Sequence, residues 1–134
     1  MNESEKSCVF CKIIKGEIPD YRIWQDENFI AFLDIRPINL GHTLVVPRLH
    51  EDEIFDLPDE LYKGLFTAGR ELSGLIKKAI SSKRVGMVVE GFGVPHAHLH
   101  LVPINHGNEL DPHRAHEVSV DSLSAMQKKL KDFL

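Results

Sequence analysis

In His96-Ala97-His98-Leu99-His100-Leu101, imidazole and apolar side chains alternate without a break. Successive side chains of a strand point to opposite faces, so the spacing predicts a strand over 96–102. His96, His98 and His100 would share one face, with Ala97, Leu99 and Leu101 turned to the core. Neighbours along the histidine face would stand ~7 Å apart. Burying such a row without partners would cost several kcal/mol, so the face has to serve something polar. An exposed strand face that merely happens to hold three histidines is the plainer alternative. Two chemistries suit the row. Alternate histidines can converge on zinc as three ligands plus water. Alternatively, one imidazole attacks phosphorus while its neighbours supply charge and protons.

The rest of the chain supplies partners for that strand. Residues 8–15 (CVFCKIIK) place Val9 and Ile13, then Phe10 and Ile14, at near-helical spacing before Gly16 and Pro19, which predicts a short helix with a glycine stop. Tyr21–Gln25 and Asn28–Asp34 read as a hairpin turned at Asp26-Glu27, and His42–Pro47 as a third strand. From Asp59 to Lys78, Leu61, Leu65, Ala68, Leu72, Leu75 and Ile76 recur every three or four residues, the pattern of one long amphipathic helix. Gly64, Gly69 and Gly74 weaken it by up to ~1 kcal/mol each, and such small residues would let a partner helix approach closely. Arg84–Glu90 and His96–Val102 complete five strands, and Ser119–Leu134 reads as a last helix capped by Ser119 or Asp121. The order predicts an α+β fold: a five-stranded antiparallel sheet with one long helix and short flanking helices.

A chain of 134 residues with 43% hydrophobic and 27% charged residues fits a single soluble domain. Its net charge of −4 argues against a sequence-independent nucleic-acid binder, which needs clustered cations. Lys128, Lys129 and Lys131 read as a solvated helix face. Met1–Ser7 is polar, with no apolar stretch behind it and none of membrane-spanning length, so a cytoplasmic location is expected. In a reducing compartment Cys8 and Cys11, a Cys-x-x-Cys pair, read as metal-binding or redox-active.

These segments together resemble the histidine triad (HIT) family. His96-Ala97-His98-Leu99-His100-Leu101-Val102 fits its His-φ-His-φ-His-φ-φ signature. Ala31–Ile35 with Gly41–His50 (GHTLVVPRLH) looks like its upstream block, and Cys8–Pro19 like its N-terminus. The similarity covers about 8–103 of a single domain spanning 1–134, leaving 104–134 as a C-terminal extension. The resemblance implies a hydrolase or transferase acting at the α-phosphate of a nucleoside phosphoramidate, a dinucleoside polyphosphate or a related nucleotide. It implies that His98 is the nucleophile, forming a covalent nucleotidyl-histidine, with His42 and His100 flanking the phosphate. Asp34 would accept hydrogen bonds from the ribose hydroxyls, and Phe32, Ile35, Val9 and Ile13 would line an apolar base pocket. Cys8, Cys11, His50 and His96 correspond to positions that bind structural zinc in some branches, and many members are homodimers.

The sequence departs from the family in the loop before the triad. Glu90-Gly91-Phe92-Gly93-Val94-Pro95 has Gly93 where a serine is usual and lacks the Asn and Gln that hold phosphate or leaving group. Backbone amides of Gly91 and Gly93 are the expected substitutes, since glycine permits close approach. Two other functions stay open: a nucleotide-binding or sensing protein with little catalysis, and a zinc hydrolase using the histidine row as ligands. His106, His113 and His116 read as surface residues.

Overall fold

In the computed structural model, which describes residues 2–134, the turn at Asp26 organises the first two strands. Asp26 Oδ1 accepts the backbone N–H groups of Asn28 and Phe29 at 2.8 and 2.7 Å, joining β1 (Arg22–Gln25) to β2 (Phe29–Leu33). With β3 (Thr43–Pro47), β4 (Arg84–Val88) and β5 (Leu99–Ile104) they form one sheet in the order β1-β2-β3-β5-β4. Every pairing is antiparallel. This is the expected α+β architecture.

The two sheet faces are covered unequally. Ala31, Leu33, Val45, Leu99 and Leu101 pack against α3 (Asp59–Ile80), whose buried residues include Leu65, Leu72 and Ile76. Full burial of such side chains contributes ~1.5–3 kcal/mol each. α4 (Val120–Lys131) closes the same side, capped by Ser119 and fastened to β1 where Gln127 Nε2 donates to the Arg22 carbonyl at 2.8 Å. Gly64 and Gly69 face inward: a Cβ there would lie 3.1 Å from Phe29, and from Leu99 and Met87, respectively. The close approach these glycines permit is therefore between α3 and its own sheet, not a partner helix. No helix among the described residues is long and apolar enough to cross a membrane.

The other face, with Ile30, Phe32, Leu44 and Val46, packs against the short α2 (Val9–Ile14), with Cys8, Ile18 and Val94 beside it. A further turn, α1 (Glu3–Ser7), precedes it where the sequence pattern gave only a polar run. It is held by the Asn2 side chain, which accepts from the Glu5 N–H at 2.8 Å. Six residues of α2 cannot cover a five-stranded sheet, so the remainder of this face is left for a site. Strand register places Phe32, Leu44, His100 and Val88 in one row across it.

The histidine segment differs from expectation in two ways. β5 begins only at Leu99, so His96 and His98 lie in the stretch entering it. The alternation nevertheless holds, with Ala97 packed beside Leu99 and Leu101. Nor is the histidine face open: His96 is 0% and His98 6% exposed, because α2 lays Phe10 against both rings. The burial is tolerable because each imidazole finds a polar partner.

Candidate functional site

His98 is set by a hydrogen bond and a ring contact. Its Nδ1 lies 2.7 Å from the His96 carbonyl, which can only accept, so Nδ1 carries the proton and Nε2 the lone pair. Phe10 meets the ring edge-on at 5.0 Å, fixing its plane. No buried side-chain nitrogen or oxygen among the described residues lacks a partner. Nε2, which bonds to no other group among the described residues, is therefore open to solvent. Burial lowers the His98 pKa, while the His96 carbonyl and the charges of Asp34 and Glu90 work the other way. The result is a neutral imidazole at pH 7 presenting one free nitrogen.

A chain of donors runs beside it. The Ile38 N–H donates to His42 Nδ1 at 3.0 Å, so the proton of neutral His42 sits on Nε2. That nitrogen lies 2.9 Å from His100 Nδ1, which must then accept, leaving His100 Nε2–H as a donor. Burial drives both pKa values down to about 4, helped in each case by the neighbouring His98. Asp34 Oδ1 accepts the Arg36 N–H at 2.9 Å, and its Oδ2 stands 3.7 Å from His42 Nε2. Burial raises the Asp34 pKa. His42 owes its place to Gly41, whose φ of 100° turns the chain into β3 and whose missing Cβ leaves room for Ile80.

Two clefts flank this arrangement, and Asp34 lines both. The first, about 710 Å³ including its mouth, brings together Val9, Ile13, Phe32 and Ile35, the four expected base-pocket residues, and adds Phe10, Ile18 and Val94. The second, about 470 Å³, lies beyond His42 and His100 and includes Arg36, Glu90 and Leu110. Gly91 adopts a φ of 87°, and a Cβ on Gly91 or Gly93 would meet open space.

Behind His98, four residues from three parts of the chain converge. Cys8 Sγ lies 3.3 Å and Cys11 Sγ 3.5 Å from His96 Nδ1; Cys11 Sγ and His50 Nδ1 are 3.3 Å apart, and the two Nδ1 atoms 3.2 Å. A tetrahedron with zinc–sulfur bonds of ~2.3 Å and zinc–nitrogen bonds of ~2.0 Å has edges of roughly 3.3–3.8 Å. All four donors lie within 4.8 Å of one another. The His96 Nε2–H donates to the Pro47 carbonyl at 2.8 Å, which leaves its Nδ1 lone pair directed into the cluster, the arrangement metal-bound histidines use. Burial and the adjacent Cys8 push the Cys11 thiol up to about 12, so a thiolate there needs a cation beside it. The cluster can thus hold a metal ion. The histidine row itself cannot. His96 Nδ1 faces the sulfurs, His98 Nδ1 a carbonyl and His100 Nδ1 His42, so the three imidazoles do not converge on a shared ion.

A five-stranded antiparallel sheet with alternate histidines entering an inner strand is the architecture of the histidine triad proteins. Residues 15–107 match the HIT domain model, and the chain belongs to the HIT family, a superfamily of nucleotide-binding hydrolases and transferases. It is 35% identical over 103 residues to the Protein hit of Bacillus subtilis, covering 73% of this chain and 71% of that one. It is 33% identical over 105 residues to the adenosine 5'-monophosphoramidase HNT1 of Saccharomyces cerevisiae, covering 74% and 63%. Among solved structures, a zinc-bound histidine triad family protein from Mycobacterium smegmatis superposes with a TM-score of 0.83 at 30% identity, covering 96% and 94%. A Hit-like protein from Bartonella henselae gives 0.84 at 27% identity, covering 96% and 98%.

Sequence reasoning missed several contributors. Phe10 is legible only as a helix-face residue. Glu90 reads as a strand end that could equally serve a polar role. Arg36 and Leu110 reach the second cleft through loops that carry no periodic signal.

Proposed function

We propose that the protein transfers or hydrolyses a nucleotidyl group through a covalent bond between His98 Nε2 and an α-phosphate. The free, solvent-facing Nε2, fixed by the His96 carbonyl, is the observation that carries this reading. The lone pair bonds to phosphorus, and the bond to the leaving group breaks with its electrons on the departing atom, which takes a proton from solvent. The adduct leaves a cationic ring whose Nδ1–H stays on the His96 carbonyl, and hydrogen bonds to charged groups contribute ~1.5–3 kcal/mol. Water then attacks the same phosphorus, its proton passes to solvent, and the electrons of the broken phosphorus–nitrogen bond return to Nε2. The His100 Nε2–H, held by His42, is the donor for charge on the phosphate oxygens, and the backbone amides of Gly91 and Gly93, in the loop before His96, would add to it. Asp34 accepts from the ribose hydroxyls, and the base enters the cleft of Val9, Ile13, Phe32 and Ile35.

Cys8, Cys11, His50 and His96 would hold zinc, which anchors the N-terminal helix and residue 96 without taking part in the reaction. The outer edge of β4, with Met87 and the adjoining Val89 each 41% exposed, favours a homodimer, checked by light scattering.

The deciding experiment is intact-mass spectrometry after mixing with adenosine 5'-phosphoramidate or a diadenosine polyphosphate. A nucleotidyl adduct should form on the wild type, and on no folded His98→Ala protein. Undiminished turnover by His98→Ala would end the reading. Tight nucleotide binding with no adduct would assign the protein to nucleotide sensing, which the altered Gly91–Pro95 loop favours.

A further inference from the structure

The loop between β4 and the histidines is where the chain departs from the family pattern, and it opens on a carboxylate. β4 and β5 are antiparallel, and Val88 pairs with His100 in the row that crosses the site face. Side chains two positions apart on a strand share a face. Continuing the register by two residues therefore sets Glu90 against His98, on the same side as Val88 and His100. β4 ends at Val88 and β5 starts at Leu99, so the two residues face each other where the strands part. Gly91, at a φ of 87°, turns the chain away directly afterwards. Two observations agree with this placement. Glu90 lines the second cleft together with Asp34, His42 and His100, and its charge is felt at His98.

Displacement at phosphorus runs roughly in line, with the attacking and departing atoms on opposite sides. Once His98 Nε2 holds the phosphorus, water has to enter from the side away from the ring. The nucleoside fills the first cleft and Asp34 borders both clefts, so that side opens on the second. The water must lose a proton as its bond to phosphorus forms, and few groups there can take one. His42 Nδ1 accepts the Ile38 N–H and His100 Nδ1 accepts from His42, so the imidazole edge left over, His100 Nε2–H, is a donor. Arg36 is a cation, and Asp34 holds the Arg36 N–H and the ribose. Among the described residues lining the cleft, that leaves Glu90, which is exposed and has neither a hydrogen bond nor an ion pair.

We propose that Glu90 is the general base that activates water to hydrolyse the nucleotidyl-histidine. As the water oxygen bonds to phosphorus, Glu90 takes the proton. The phosphorus–nitrogen bond breaks with its electrons returning to Nε2, and the exposed carboxylic acid gives the proton up to solvent. The proposal rests on the nucleotidyl-transfer reading and adds to it the residue that drives the second step. Formation of the adduct needs no such base, because Nε2 attacks with its own lone pair. Glu90 therefore divides the two steps.

The test follows the adduct by intact mass in rapid-quench samples after mixing adenosine 5'-phosphoramidate with the wild type or Glu90→Gln, each checked by melting curve. Glu90→Gln should form the adduct at much the wild-type rate and lose it roughly 10²–10⁴-fold more slowly, the range a positioned general base commands. Adduct then builds up during turnover. Sodium azide attacks as an anion with no proton to lose, so it should discharge the variant's adduct and leave the wild type's decay nearly unchanged. Glu90→Asp, whose carboxylate stands one methylene further back, should decay at an intermediate rate, and it carries the comparison if the amide variant melts early. Decay as fast as the wild type's, equal slowing of both steps, or slow decay that azide does not relieve overturns the proposal alone. Absence of an adduct on every one of these proteins overturns the nucleotidyl-transfer reading and this proposal with it.

Discussion

Acid should destabilise this protein in part through His42, and His42→Asn should remove that part of the sensitivity. His42 is 3% exposed, and its Nδ1 faces the Ile38 N–H at 3.0 Å, so a proton on Nδ1 would set donor against donor. Its pKa falls from 6.5 to about 4. The unfolded chain therefore binds this proton below pH 6.5 while the native state resists it down to about 4. Between those values the unfolded state holds more protons, and stability falls as pH falls. A gap of about 2.5 pH units at ~1.4 kcal/mol each amounts to ~3.4 kcal/mol. That is a large part of the ~5–15 kcal/mol that holds a domain together. His100 has its own pKa lowered by burial to about 4, adds a like sensitivity of its own, and is present in both proteins. Asp34 acts in the opposite sense, because burial raises its carboxyl pKa and folding then favours its proton. It is present in both proteins and cancels in their difference. The amide oxygen introduced by His42→Asn keeps an acceptor for the Ile38 N–H, and the amide cannot titrate. Urea unfolding at pH 7, 6, 5 and 4 should show the variant less stable at pH 7, with the gap closing by ~3 kcal/mol at pH 4. With urea slopes of ~1–3 kcal/mol/M, that is a relative midpoint shift of roughly 1–3 M. Parallel curves for the two proteins across the whole range would refute the reasoning.

Other expectations are as direct. Asp34→Asn should raise KM by roughly 10–100-fold, the loss of a hydrogen bond to a charged acceptor, with a smaller change in kcat; an unchanged KM would remove Asp34 from ribose binding. Metal analysis of the purified protein should find one zinc per chain, absent from Cys11→Ser. That variant should melt more than about 10 °C lower, and equal melting would make the cluster a set of ordinary thiols and imidazoles. Gly41→Ala should cost at least ~1–3 kcal/mol in urea unfolding, since the new Cβ meets Ile80 at a φ of 100°. Gly74→Ala, with open space at its Cβ, should be neutral or stabilising.

Much of this architecture was legible because it obeys short-range periodicity. The two-residue alternation of 96–101 and the three-to-four-residue recurrence through Leu65, Leu72 and Ile76 each reflect one covered face, and the structure preserves both. Asp34, His42 and His100 come together as the resemblance implied, as do Cys8, Cys11, His50 and His96. What escaped is set by packing between distant segments. Burial of His98 depends on Phe10, far earlier in the chain, and no local pattern announces that contact. The inward orientation of Gly64 and Gly69 depends on which face of α3 meets Phe29 and Leu99. The seat of Leu110 depends on Gly86, where a Cβ would meet it, and on the hydrogen bonds of Glu109 to Asn39, Asn105 and His106, none of which carries a period.

His96 faces two ways at once. Its ring belongs to the sulfur-and-imidazole cluster, while its main-chain oxygen holds the proton of the ring two positions on. Any movement of the cluster is thereby delivered to His98 along a single peptide unit. A descendant of this chain that gave up its cysteines would need a new anchor for residue 96 before it could keep the His98 ring in its present setting.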